Sequence, residues 1–282
     1  MAASPQRATV LLQPAPPLWT DVGLFLAGSP NSLRIEAAVA LALAARQTVD
    51  ATARADAIGL LRAGQTALAG SSAGASAEDD RLIAAACAVR QAFDDRPDIV
   101  QAMGRVLQAA ERDANGTPCA TWGELLVLGQ YASVPVGRAL LAAAGDESER
   151  TVARIDRLFQ AGFVIDRVCG AKQAALLHGR CNLPLRWIKE AGTSKDGILE
   201  DGKARRTVIN RMLDGADGLL TTGQESKHET AALCATIALL RCRTKRMIRR
   251  LRTIDPYIGR VQPGRIGDAI CRLNARFIAW RG

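Results

Sequence analysis

The stretch from Trp122 to Arg138, WGELLVLGQYASVPVGR, gathers residue types that suit the wall of a cavity. Tyr131 offers a phenol and Arg138 a permanent cation. Leu125, Leu126, Leu128 and Tyr131 keep a helical spacing until Pro135 and Gly137 interrupt it. Proline removes one backbone hydrogen bond and clashes with the carbonyl four residues back, so a kink is predicted there. A broken helix inside a helical protein usually lines a cavity; a plain helix end and turn is the alternative. Cys169, His178 and Cys181 supply three groups of the kind zinc takes. No fourth ligand lies nearby and the spacing matches no zinc pattern, so zinc is not expected.

A second cluster is purely cationic. From Thr230 to Ile254 there is no acidic residue, while Arg241, Arg243, Lys245, Arg246, Arg249, Arg250 and Arg252 are basic. Leu233, Ile237, Leu240, Met247 and Leu251 recur every three or four residues through the same region, which predicts an amphipathic helix. Its basic face is either solvated or drawn to an anionic membrane surface, where each basic residue contributes about 1 kcal/mol. Nucleic acid is the least favoured partner, because no aromatic platform interleaves the arginines.

The elements that must position these residues are helices. Hydrophobic residues make up 48% of the 282 but aromatics only 4%, so Ala and Leu supply the apolar content. Both are strong helix formers, whereas strands favour β-branched and aromatic residues. The expected fold class is all-α. Helices are predicted over 32–63, 78–93, 99–114, 122–144 with a kink, 147–168, 185–191, 204–220, 229–252 and 265–280. Short linkers at 70–77, 113–118, 192–197 and 221–227 are too brief to separate domains. One helical domain over 21–282 is therefore expected, after a Pro-rich extended arm over 1–20. The longest apolar run, Ala37 to Ala45, falls well below the roughly 20 residues of a membrane span and reads as a core helix. Seven scattered cysteines suit reduced thiols, and no secretory signal is seen at the N-terminus. The expected location is cytoplasmic, with peripheral contact at the inner membrane surface through Arg241–Arg252. The net charge of +9 sits largely in that late region.

Leu128 to Arg138 resembles the Tyr-Cys-Arg-Tyr-Ser-Ala-x-Pro-Val-Gly-Arg segment of the squalene/phytoene synthase family, in the hydroxysqualene synthase branch of hopanoid biosynthesis. LQAAERDANGTPCATW (107–122), LFQAGFVID (158–166), NLPLRWIKEAG (182–192) and the tail from Met247 to Leu273 are similar to the same branch. The resemblance implies an isoprenoid-synthase bundle around a central cavity. It also implies action on presqualene diphosphate or a related prenyl diphosphate, with magnesium held by aspartates on facing helices. In this chain it assigns Asp50 and Asp166 to the metal, Arg46, Asp113 and Arg138 to the substrate, and Tyr131 to the cavity near the cation. A squalene-like lipid and a partner synthase of the same pathway are the implied partners.

The chain departs from the family pattern at both metal motifs. The residues matching the first D-x-x-x-D pair are Val49 and Ala53, with Asp50 between them and Asp56 one turn on as a substitute. At the second motif, Gly162 and Gly170 flank Asp166. Leu128 stands for a tyrosine, Gly116, Pro118 and Cys119 for a lysine, an arginine and a tyrosine. The segment 171–181 is about four residues longer than the family pattern. Diphosphate leaves as a highly charged anion, so loss of metal ligands costs several kcal/mol of transition-state stabilisation. The alternative expectation is thus a catalytically degenerate member serving as a lipid-binding partner or assembly factor.

Overall fold

The computed structural model describes residues 31–71, 81–221, 230–259, 261 and 264–281. The Pro-rich arm expected over 1–20 lies outside them. Among the described residues there are twelve α-helices and no strand. They are α1 (Ser32–Ala51), α2 (Arg54–Leu68), α3 (Arg81–Ala92), α4 (Pro97–Ala114), α5 (Trp122–Ala132), α6 (Val134–Ala144), α7 (Glu149–Cys169), α8 (Ala171–His178), α9 (Leu185–Glu190), α10 (Gly202–Thr221), α11 (Ala231–Thr253) and α12 (Arg265–Arg281).

Ala-rich α1 buries Ile35, Ala38, Leu41, Ala42, Ala45 and Val49, and packs against α3, α4 and α6. Small side chains let these axes approach closely. α7 runs through the middle, against α5, α6, α10 and α11. Its N-terminus is capped by Ser148, whose hydroxyl accepts from the Thr151 amide. One continuous core joins α1 through α11. No single described helix is long and apolar enough to cross a membrane.

Two expectations about helix continuity change. The first predicted helix breaks at Thr52–Ala53, so α2 starts on a new axis. The kink predicted at Pro135 is present, but it lies at Ser133 and the two halves are bent by 40°. Proline lacks the N–H that would bond the Tyr131 carbonyl, so the chain breaks before it, and Pro135 sits in the first turn of α6. Ser133 is buried, and its hydroxyl bonds the carbonyls of Gly129 at 2.9 Å and Phe159 at 3.0 Å. This ties the break to α7. The expectation of seven reduced thiols is also corrected: Cys242 and Cys271 form a disulfide between α11 and α12, and the other five cysteines keep their thiols.

Candidate functional site

A cavity of about 130 Å³ lies between α1, α4, the α5–α6 break and α7. Its apolar lining includes Ala42, Ala45, Val49, Val106, Ala110, Ala132 and Phe163. Its polar lining holds three carboxylates, Asp50, Asp113 and Asp166, and three guanidiniums, Arg46, Arg167 and Arg180. The formal charges cancel.

Each carboxylate has an arginine in reach. Arg180 donates to Asp50 at 2.9 Å. Arg46 stands between the two walls, 3.8 Å from Asp50 and 3.9 Å from Asp166. Arg167 donates to Asp113 and, at 3.1 Å, to the Asn182 side chain. Burial alone would depress the Arg167 pKa, but the neighbouring Asp113 carboxylate outweighs it and holds the guanidinium above its ordinary value. The Phe163 ring lies 4.8 Å from the same guanidinium.

The local backbone explains how Arg180 arrives. α8 ends at Gly179, whose φ of 58° is left-handed. The Arg180 amide then bonds back to the Ala174 carbonyl at 2.9 Å, and the Gly179 amide to that of Ala175 at 3.1 Å. The Gly179 bond is that of an αL cap, and the turn reverses the chain so that the next side chain returns over the helix. The turn after α8 thus delivers a cation into the cavity. Neither Arg180 nor Arg167 was among the residues expected at the site. Gly179, a helix-ending glycine just before Arg180, was the available signal of a reversal there.

Of the residues expected at the site, Arg46, Asp50, Asp113 and Asp166 line the cavity. Arg138 and Tyr131 do not. Arg138 makes a bidentate pair with Asp156, at 2.8 and 2.6 Å, and joins α6 to α7. Tyr131 is 39% exposed beneath the Arg105 guanidinium, because α5 turns Leu125, Leu128 and Gly129 inward instead. Asp56 is likewise exposed in the first turn of α2, so it does not replace Ala53. Ala53 itself lies in the exposed break after α1. The pair spaced to share a helix face is split by that break.

The residues present do not fit a magnesium centre. Magnesium takes a near-octahedral set of oxygens at short range. Among the described residues no three His, Cys, Asp or Glu converge on one point. Val49 and Gly170 face the cavity without a side-chain oxygen, and the carboxylates that remain are engaged by guanidiniums. The same absence of a cluster covers Cys169, His178 and Cys181. Burial pushes the Cys169 thiol up to about 12, helped by the Asp166 charge, so it does not supply a thiolate.

Comparisons with known proteins agree with this architecture. The family model for squalene/phytoene synthase matches residues 29–265. The squalene synthase HpnC from Alicyclobacillus acidocaldarius is 18% identical, with a TM-score of 0.60 over 86% of this chain and 90% of that one. A dehydrosqualene synthase solved in complex with a ligand is 14% identical, with a TM-score of 0.61 over 94% of this chain and 98% of that one. A search of curated proteins finds no match. Because the family match runs through both aspartate-bearing helices and the broken pair between them, and not through one motif, the chain belongs to the squalene/phytoene synthase family.

Proposed function

We propose that this chain works in isoprenoid biosynthesis as a catalytically silent partner, engaging a prenyl diphosphate or squalene-like lipid without ionising it. The observation that carries this reading is the contact of Arg180 with Asp50 at 2.9 Å. A guanidinium stands where the resemblance calls for a dication, and it brings donors where a metal would need oxygens. Lewis-acid stabilisation of departing diphosphate contributes several kcal/mol, and each 1.36 kcal/mol is tenfold in rate. Arginine can neutralise a phosphate, but here each one is matched by an aspartate.

Cavity size supports the same reading. A volume of about 130 Å³ is comparable to cavities that hold one benzene, and below the roughly 300–1,000 Å³ of ordinary ligand clefts. A C30 chain has no room inside this conformation. The engaged part is therefore an end of the lipid, with the rest outside the bundle.

A second reading keeps enzymatic turnover of presqualene diphosphate. It is favoured by Arg46, which lies within 4 Å of both Asp50 and Asp166 and so marks a point between two carboxylates that one ion could share. Calorimetric titration with a farnesyl diphosphate analogue, with and without magnesium, separates the readings, together with product analysis on presqualene diphosphate. Silent engagement predicts metal-independent binding and no product. Turnover that Asp50→Ala abolishes would establish the second reading instead.

A further inference from the structure

α12 carries an apolar stripe on its outer face. Ile266, Ile270, Leu273, Phe277 and Trp280 recur every three or four residues, which sets them on one side of a helix. Their exposures run from 46% at Ile270 to 80% at Ile266 and Trp280. The opposite side is small: Cys271 and Ala275 are buried against Ala235, Leu239 and Cys242 of α11. α12 packs chiefly on α11. Its large side chains are the ones it does not bury, the reverse of a core-facing helix.

The surroundings are cationic. Arg243, Arg246, Arg249 and Arg250 of α11 line a cleft of about 430 Å³ with Gly264, Ile266, Gly267, Asp268 and Cys271. Asp268 is the sole acidic side chain in the sequence from Pro256 to Gly282, and it is taken by Arg243 at 2.6 Å and Arg272 at 2.8 Å. Asp255 is taken by Arg205. No salt bridge engages Arg246, Arg249 or Arg250 among the described residues.

We propose that α12 is an interfacial anchor: it lays the Ile266–Trp280 stripe into the headgroup–acyl boundary of an anionic bilayer, while the arginine cleft takes a phospholipid headgroup phosphate. A convex ridge of Ile, Leu, Phe and Trp flanked by arginine is the form that lies in a membrane interface, and Trp is favoured at that depth. A second copy of the chain is a poorer occupant, because it would bring the same arginines face to face. The inference stands apart from the reading of the central cavity, since it uses no residue of that site.

The test is co-sedimentation of the full chain with phosphatidylcholine vesicles and with vesicles doped with phosphatidylglycerol, at low and physiological salt. Wild-type protein is expected to bind the doped vesicles, with roughly tenfold or greater weakening in an Ile270→Ser, Phe277→Ser, Trp280→Ser variant. Arg246→Gln, Arg249→Gln, Arg250→Gln should lose the preference for anionic lipid, and the matching lysine variant should keep it. Quenching of tryptophan emission by lipids brominated on the acyl chains should fall in Trp280→Phe. All the variants are checked by circular dichroism for retained helix. Absence of vesicle binding by the wild type, or unchanged binding by the folded stripe variant, would overturn the proposal. So would a dimer in solution that the stripe variant dissolves while vesicle binding is absent.

Discussion

Arg180 reaches back across 130 residues of sequence to donate a 2.9 Å hydrogen bond to Asp50 inside the cavity. Its side chain is only 11% exposed and that of Asp50 24%, so the pair is largely shielded from solvent. A charge-assisted hydrogen bond in such a place contributes about 1.5–3 kcal/mol. Arg180→Ala leaves Asp50 with Arg46 alone, at 3.8 Å. Urea unfolding should show a loss of that order, while Asp50→Asn together with Arg180→Gln recovers part of it. A double-variant cycle showing no coupling would mean that the contact carries no stability.

Gly137 is required by a close approach. A Cβ there would lie 2.5 Å from Ile155 and 2.8 Å from Phe159, both in the core of α7. Gly137→Ala must push α6 off α7, and overpacking of this kind costs about 1–3 kcal/mol. Gly145→Ala has open space but a φ of 73°, so it serves as a backbone-strain control. Thermal melts should rank Gly137→Ala below Ala143→Gly, which only removes a methyl.

The helical class, the kinked pair and the aspartate-bearing walls were legible in the sequence because each rests on a local signal: Ala/Leu composition, a proline in an apolar period, a motif in register. Arg46, Asp50, Asp113 and Asp166, expected at the site from motifs in register, all line the cavity. Tyr131 and Arg138 were not, because which face of a helix turns inward is decided by packing. Gly129 faces the Phe163 ring, where a Cβ would come within 2.9 Å, and that rotation turns Tyr131 outward. Arg180 carried only part of a signal: Gly179 suits a left-handed helix end, but where that turn aims the next side chain is decided by tertiary packing. The outward stripe of α12 is visible as periodicity, but periodicity alone assigns such a stripe to a core.

Asp268 makes the α11–α12 contact pH-dependent. Burial opposes ionisation of its carboxyl, but the hydrogen bonds from Arg243 and Arg272 outweigh it and hold the pKa below the ordinary value. In the unfolded chain this group titrates at about 3.9. Its stabilising effect is therefore complete above that pH and is lost as the pH falls through the lower folded value. Melting temperature measured from about pH 5 down to about pH 3 should fall more steeply in the wild type than in Asp268→Asn.

The Cys242–Cys271 disulfide closes a segment with a sequence separation of 29 and fastens α12 to α11. By loop-closure entropy such a link contributes roughly 3–4 kcal/mol. Thiol labelling of the unfolded, unreduced protein should count five free cysteines, and all seven after reduction. Reduction should lower stability and raise hydrogen exchange in α12 first, because that helix packs chiefly on α11 alone. Seven labelled thiols before reduction would remove the disulfide from the account.

The proposal of a silent site meets its sharpest test at the metal motifs, because two separable features stand against a metal there. One is missing ligands: Val49 and Gly170 face the cavity without oxygen. The other is the resident cation, since Arg180 engages the carboxylate that remains on α1. Val49→Asp and Gly170→Asp address only the first. Ala53→Asp addresses neither, because the break at Thr52–Ala53 carries position 53 out of the cavity wall. At Gly170 a Cβ would lie 3.3 Å from the Asp166 carbonyl, so that backbone must give by a few tenths of an ångström to admit the new side chain. The expected order of magnesium-dependent affinity for a prenyl diphosphate analogue is wild type lowest, Val49→Asp/Gly170→Asp intermediate, and the same pair with Arg180→Gln highest. Calorimetry on the three proteins reads that order directly. If Arg180→Gln adds nothing to the double variant, the guanidinium is a bystander, and the missing oxygens alone account for the weak magnesium dependence predicted for the wild type.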